Sequence, residues 1–161
     1  MRVGVVSDTH NHIKNVQEIV ELFNASDVSR VIHTGDITQA KTLDLFAMLN
    51  ADFFGVYGNN DLERDSLEDA VNRHGFYFVD PPLILNWHNR KIAVLHDPLD
   101  VIKLPQADHD LVIHGHTHLY RAEQTNGQLI FNPGECAGHM PGLNTVGIVD
   151  LVSMDVELLK F

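Results

Sequence analysis

The chain reads as an α/β protein, and three observations predict that class. Apolar strand-like runs alternate with amphipathic helical segments through residue 75. From residue 76 onward the pattern changes to short strands separated by turns, with one brief helical segment. The strand–helix–strand–helix–strand start implies a parallel sheet with right-handed crossovers; the later strands suit a second sheet that buries both apolar faces, although periodicity alone does not distinguish that from a single mixed sheet.

Residues 3–7 form the first expected strand. A helix follows over about residues 14–24, with Ile13, Val16, Ile19, Val20 and Phe23 on one face. Residues 28–34 are the second strand, and Thr38 is placed to cap a helix running to about residue 50, with Leu43, Phe46 and Leu49 as its inner stripe. The third strand spans 52–57 and the third helix 61–73, with Leu67, Ala70 and Val71 inward and Gly75 as its stop. Residues 83–86 and 91–96 flank a polar turn and read as a hairpin, and a short helix is expected near 98–104. Residues 111–114, 120–124, 129–131, 145–151 and 155–159 read as strands, with Asn126-Gly127 a hairpin turn because both residues tolerate positive φ.

Length and charge narrow the classes. At 161 residues a single domain over 1–161 is expected, large enough to bury about 70% of its unfolded surface. No apolar run approaches the roughly 20 residues needed to span a bilayer, and the run after Met1-Arg2 is too short for a signal peptide. A cytoplasmic, non-membrane protein is expected, in keeping with the single cysteine, Cys136, which excludes an intrachain disulfide. A net charge of −11 argues against broad nucleic-acid binding. Two bound divalent cations would bring it to −7 and concentrate positive charge locally, so a small phosphate ester fits better as a partner. A homo-oligomer is compatible with the sequence.

The chemistry-bearing residues follow the strands. Asp8-Thr9-His10, Gly35-Asp36, Gly58-Asn59-Asn60-Asp61, His96 and His114-Gly115-His116-Thr117-His118 each stand directly after an apolar run. Ligands collect at the carboxyl ends of strands in open α/β sheets. Asp8 and Asp36 are 28 residues apart and Asp36 and Asn59 23 apart, each about one strand–helix repeat. Any fragment alone could be a helix cap or a core histidine; five in order point to a two-metal hydrolase.

This ordered set, D-x-H, G-D, G-N-x-D, H and G-H-x-H, resembles the calcineurin-like metallophosphoesterases. The short length and the Asn132-Pro133-Gly134 element resemble the small prokaryotic phosphodiesterase branch. The resemblance implies a four-layer αββα sandwich with metals at one rim. Asp8, His10, Asp36 and His118 would hold one metal, and Asp36, Asn59, His96 and His116 the other, with Asp36 as the bridge. Asp36, Asn59, Asn60 and His96 are then the residues with a direct part in catalysis. Mixed carboxylate and imidazole ligands suit manganese first, with iron, nickel, cobalt or zinc as alternatives, rather than calcium. Two such ions acidify a bridging water, orient phosphorus for in-line attack and neutralise phosphoryl charge, so Cys136 need not be a nucleophile.

The remaining histidines have plainer readings. His12 and His33 are expected at the rim, hydrogen-bonded to water or backbone, and His114 behind the ligands. His74, His88 and His109 are expected at the surface or in turns, and His139, in the loop 134–142, could border the substrate pocket. Three positions depart from the family pattern: Asn60 stands where many members carry a proton-donating His, Asp97 where Gly is common after His96, and Glu135 where many relatives place Ser. An amide can hydrogen-bond a phosphate oxygen but cannot carry a proton through a catalytic cycle. The leading expectation is a metal-dependent phosphodiesterase. The alternatives are a non-catalytic metal-binding interaction domain, as in the retromer subunit of this fold, and a metal-dependent nuclease.

Overall fold

The computed structural model describes residues 1–104, 109–140 and 142–161. Its chain order is β1 (Arg2–Val6), α1 (Ile13–Ala25), β2 (Arg30–His33), α2 (Ala40–Leu45), β3 (Asp52–Val56), α3 (Arg64–His74) and β4 (Tyr77–Val79). There follow β5 (Leu83–Trp87), β6 (Arg90–Val94), β7 (Leu111–Ile113), β8 (Arg121–Thr125), β9 (Gln128–Asn132), β10 (Thr145–Asp150) and β11 (Val156–Lys160). One sheet has the order β11-β10-β1-β2-β3-β4, the other β5-β6-β7-β9-β8. Strands β1 to β4 run parallel, as do β6, β7 and β9, while β10, β11, β5 and β8 pair antiparallel with their neighbours. Both sheets are mixed, as expected.

Side-chain alternation sorts the apolar residues into layers. Val6, Val31 and Phe53 turn toward the helices and pack with Val16, Ile19 and Phe23 of α1, Leu43 of α2 and Leu67 of α3. Val3, Val5, Ile32 and Val56 turn the other way and meet Leu85, Ile92, Val94, Ile113 and Phe131 of the second sheet. Strands buried on both faces read as continuous hydrophobic runs, which is why the first three were legible. The outer face of the second sheet is covered more thinly: among the described residues, Leu104, at the end of the 3₁₀ segment Pro98–Lys103, packs on Ala93, Leu95 and Val112. No helix among the described residues is long and apolar enough to cross a membrane.

The structure moves several boundaries. Thr38 does not cap the second helix; it lies at φ 71°, its N–H is taken by Asp61, and Gln39 is the N-cap. That helix ends at Leu45, and Phe46–Met48 continues as a 3₁₀ turn. The third helix begins at Arg64 rather than Asp61, because the Asp61 carboxylate is turned back into the preceding loops. Strand β4, three residues long, was not anticipated. Gly75 does stop α3, in the left-handed conformation at φ 70°. Asn126 and Gly127 turn the β8–β9 hairpin at φ 51° and 83°. His33 is not a rim residue: it is fully buried and stacks edge-on against Phe46 and Phe53. His109 is likewise buried rather than exposed.

Gly55 lies in the middle of β3 where the Phe78 ring crosses the strand. A Cβ there would run into that ring and come within 2.7 Å of the His33 carbonyl oxygen. Gly55→Ala should therefore destabilise the protein by about 1–3 kcal/mol through overpacking. Urea unfolding followed by circular dichroism reads the effect as a lower midpoint with an unchanged slope.

Candidate metal centre

The carboxyl ends of β1, β2 and β3 in one sheet and of β6 and β7 in the other meet at a common edge. Two contacts tie the two sets of loops together, and a third joins the ends of β6 and β7. His96 Nδ1 lies 2.8 Å from the Thr34 carbonyl, the His116 N–H donates to Asp8 Oδ2 at 3.0 Å, and the Gly115 N–H donates to the His96 carbonyl at 3.0 Å. Gly115 is required by the closeness of this seam. A Cβ there would overlap Ser7 Oγ and come 2.6 Å from both Asp8 Oδ2 and Thr34 Oγ1.

All seven residues read from the sequence as ligands come together here. One group holds Asp8, His10 and His118, and an adjoining one Asp8, Asp36 and His96, with donor atoms within 4.8 Å of one another in each. Asn59 Oδ1 lies 2.9 Å from His96 Nε2 and 3.0 Å from His116 Nδ1. Asp36 belongs to the middle of the cluster, its Oδ1 3.4 Å from His96 Nε2. Five of the seven lie at positive φ: Asp8 at 52°, His10 at 45°, Asp36 at 60°, His116 at 67° and His118 at 56°. Backbone strain of this kind persists only where surrounding structure imposes it, and it gathers at functional sites.

The partners of the ring nitrogens constrain their tautomers. A carbonyl only accepts, so His96 donates from Nδ1 to Thr34, which in the neutral tautomer makes Nε2 the lone pair; that nitrogen lies 2.9 Å from Asn59 Oδ1, 3.2 Å from His116 Nδ1 and 3.4 Å from Asp36 Oδ1. A carboxylate also only accepts. His118 Nδ1 donates to Glu135 Oε2, and in the neutral tautomer this makes Nε2, 3.5 Å from Asp8 Oδ1, the lone pair. Asp8 Oδ1 and His10 Nε2 are buried with no hydrogen-bond partner at all. Imidazole nitrogens thus gather against carboxylate and amide oxygens in both halves of the cluster, and Asp8 Oδ1 and His10 Nε2 lack a donor, an arrangement that a cation resolves. The donor set fits a divalent transition metal in each half.

Burial sets the protonation of the buried members. It pushes the Asp8 carboxyl above its ordinary value, against the Ser7 hydrogen bond and the nearby His96 and His118. It pulls His10 below the ordinary imidazole value, which keeps the ring neutral and available as a ligand. His33 is pulled down to about 3 by complete burial and by His96 and His10. Its Nδ1 accepts from the Gly35 N–H at 3.0 Å and its Nε2 meets Thr9 Oγ1 at 3.0 Å, so it braces the loops rather than joining the cluster.

The other side residues have positioning contacts. Asn60 does not hang free: its backbone N–H reaches Asp36 Oδ1 at 2.8 Å and its Nδ2 reaches Asp36 Oδ2 at 2.6 Å. His12 caps α1, accepting from the Asn15 N–H at 3.3 Å, and His114 lies behind the cluster, 3.1 Å from the Gly115 carbonyl. His139 does reach the site, its ring stacked on His118 at 5.5 Å and 14°; residue 141 of its loop lies outside the described residues. Beside Asn59, His96 and His116 opens a cavity of about 350 Å³, lined further by Tyr57, Arg64 and Asp97.

Asp61 is the residue sequence reasoning placed on a helix and left out of the site. Its buried carboxylate accepts from four backbone N–H groups: Asp36 at 3.0 Å, Ile37 at 2.8 Å, Thr38 at 2.6 Å and Gly58 at 2.6 Å. Its place in G-N-x-D was the available signal.

Two mixed sheets that bring carboxylates, imidazoles and an amide to one edge define an α/β protein with a candidate two-cation centre. Comparison with known proteins narrows the class: the chain belongs to the calcineurin-like phosphoesterase superfamily, whose domain model matches residues 1–154. It is 34% identical over 156 residues to a phosphodiesterase of Methanocaldococcus jannaschii, with 93% of each chain covered. It is 28% identical over 146 residues to a probable metallophosphoesterase of Bacillus subtilis, covering 83% of this chain and 74% of that one. The solved structure of an archaeal phosphodiesterase superposes with a TM-score of 0.91 at 32% identity, with 100% of both chains covered. A Vps29 single mutant from Entamoeba histolytica shares the fold alone, at a TM-score of 0.70 and 21% identity over 100% of this chain and 99% of that one.

Asp61→Ala should leave several buried N–H groups without an acceptor and destabilise the fold by on the order of 3 kcal/mol. Denaturant unfolding measures the loss. An effect below 1 kcal/mol would show that water replaces the carboxylate and that the loops do not depend on it.

Proposed function

We propose that the protein is a metal-dependent phosphodiesterase that hydrolyses a small phosphate ester at the edge where the two sheets meet. The observation that carries this reading is the convergence of imidazole nitrogens on carboxylate and amide oxygens, with Asp8 Oδ1 and His10 Nε2 left unpartnered. Asp8, His10, Asp36 and His118 would hold one divalent cation, and Asp36, Asn59, His96 and His116 the second. Manganese is the first choice, with iron, nickel, cobalt or zinc as alternatives. Bound there, the cations supply Lewis acidity toward water and phosphoryl oxygens. The phosphodiesterase relative at 34% identity supports diesters over monoesters as substrates.

The chain's own residues do the positioning. Asn60 restrains both carboxylate oxygens of Asp36, and Asp61 restrains the backbone that presents it. His96 is held by Thr34, so its metal-facing nitrogen cannot rotate away without losing that bond. The cavity beside Asn59, His96 and His116 has room for the remainder of the ester, and Arg64 is fixed on its wall over the Tyr57 ring at 3.7 Å. A chain of net charge −11 suits a small substrate drawn in by local positive charge rather than a polynucleotide.

Asp36 is the one proposed ligand shared by both cations. Asp36→Asn should abolish turnover of bis(p-nitrophenyl) phosphate more completely than His→Ala at any single proposed histidine ligand, and should lower metal content at both positions. Elemental analysis beside the rate assay checks this. A variant that retains two metals and near-normal rates overturns the site assignment, and wild-type protein that turns over no phosphodiester with any of the five metals overturns the function.

With Asn60 committed to Asp36, no side chain at that position protonates the leaving group. Rates should fall steeply as leaving-group pKa rises, by a larger factor than in an enzyme with a proton donor, whose contribution is typically about 10²–10⁴-fold. A series of substituted phenyl and alkyl diesters measures the slope; a flat series shows that another residue supplies the proton or that a step other than the chemistry limits the rate.

A further inference from the structure

Glu135 stands where many relatives place Ser, and nothing in the proposed ligand set uses it. It is nonetheless one of the few buried carboxylates, 2% exposed. Both of its oxygens are occupied: Oε2 takes the Nδ1–H of His118, and Oε1 takes the backbone N–H of His139 at 2.9 Å. The first bond decides which nitrogen of His118 holds the proton, and the second folds the chain so that the His139 ring stacks on His118. The same His139 ring lies 5.5 Å from that of His10, so one carboxylate restrains two rings beside two proposed ligands.

We infer that Glu135 is a positioning residue for the cation held by Asp8, His10 and His118, locking His118 in the tautomer that turns Nε2 toward Asp8. This inference rests on the proposed metal-dependent function. A histidine ligand with a carboxylate behind it is more basic and less free to rotate, and loss of such a partner typically lowers metal affinity 10–100-fold. A serine in the same place could donate as readily as accept, and so could not dictate the tautomer. Glutamine is the sharper replacement, because it keeps the volume but has one acceptor oxygen. If that oxygen faces His118, the NH₂ group meets the His139 N–H, donor against donor. If it faces the His139 N–H, the NH₂ group confronts His118 Nδ1 and favours the tautomer whose Nε2 carries the proton, the wrong one for a ligand.

The test titrates Mn²⁺ into metal-free wild type, Glu135→Gln and Glu135→Ser by calorimetry, with the tautomer of His118 read from side-chain ¹⁵N shifts in the metal-free proteins. The expected result is a 10–100-fold weakening at one of two sites, with the other site within threefold. The Nε2 of His118 should be unprotonated in wild type and at least partly protonated in Glu135→Gln, while the melting temperatures of the metal-free proteins stay close. Both variants binding both ions within threefold of wild type would overturn the inference while leaving the phosphodiesterase reading intact. Equal weakening at both sites, or failure of both variants to fold, would also overturn it, since either result marks a general structural role. Wild-type protein that binds no metal overturns the proposed function and this inference together.

Discussion

The apolar layer between the two sheets is the constraint on which the candidate site depends. The proposed ligands come from both sheets, so their mutual distances are set by how Val3, Val5, Ile32 and Val56 seat against Ile92, Val94, Ile113 and Phe131. Close-packed interiors resist sliding by even part of a side chain, because volume changes of one methylene are already felt. The loops above that layer inherit its rigidity through a few short links, such as His96 to the Thr34 carbonyl and His116 N–H to Asp8. A ligand set assembled from distant parts of the chain can therefore keep a fixed spacing without a bound ion to hold it.

That rigidity is spent on an unfavourable arrangement. Five proposed ligands sit in left-handed backbone conformations, each costing on the order of 1–3 kcal/mol, and two buried polar atoms, Asp8 Oδ1 and His10 Nε2, have no partner. Residues outside the ligand set hold this in place. Asp61 gathers four backbone N–H groups from two loops, Asn60 restrains both oxygens of Asp36, and His33 remains neutral and buried between Thr9 and Gly35. The picture is of a polar cage imposed by an apolar frame.

Much of this was legible in the sequence, and the limits have physical causes. Strand ends could be read because the strands buried on both faces are unbroken apolar runs followed by Asp, Asn or His. Helix α1 and the Gly75 stop were legible because they depend on local periodicity and φ. The starts of α2 and α3 were not, because Thr38 and Asp61 would cap helices if left to local preference but are bonded instead to each other's loops across 23 residues. Strand β4 has three residues and no periodicity to read. The burial of His33 and His109, like the bond between His118 and Glu135, depends on which faces meet, and one sequence without tertiary contacts carries no mark of that. The proposed ligands were legible as a set through the resemblance to the superfamily; the residues that orient them were visible only in three dimensions.

Cys136 lies next to Glu135, fully buried, with its Sγ–H directed to the Ser7 carbonyl at 2.6 Å, one residue before Asp8. Burial holds the thiol well above its usual value, so it stays protonated and unreactive in the folded chain. Its modification by a thiol reagent thus requires the segment after Gly134 to lift away from the end of β1. Because Cys136 is the chain's one cysteine, labelling kinetics register how often this corner opens, with no competing signal from elsewhere. The protein carries a built-in clock for the breathing of its own candidate metal edge.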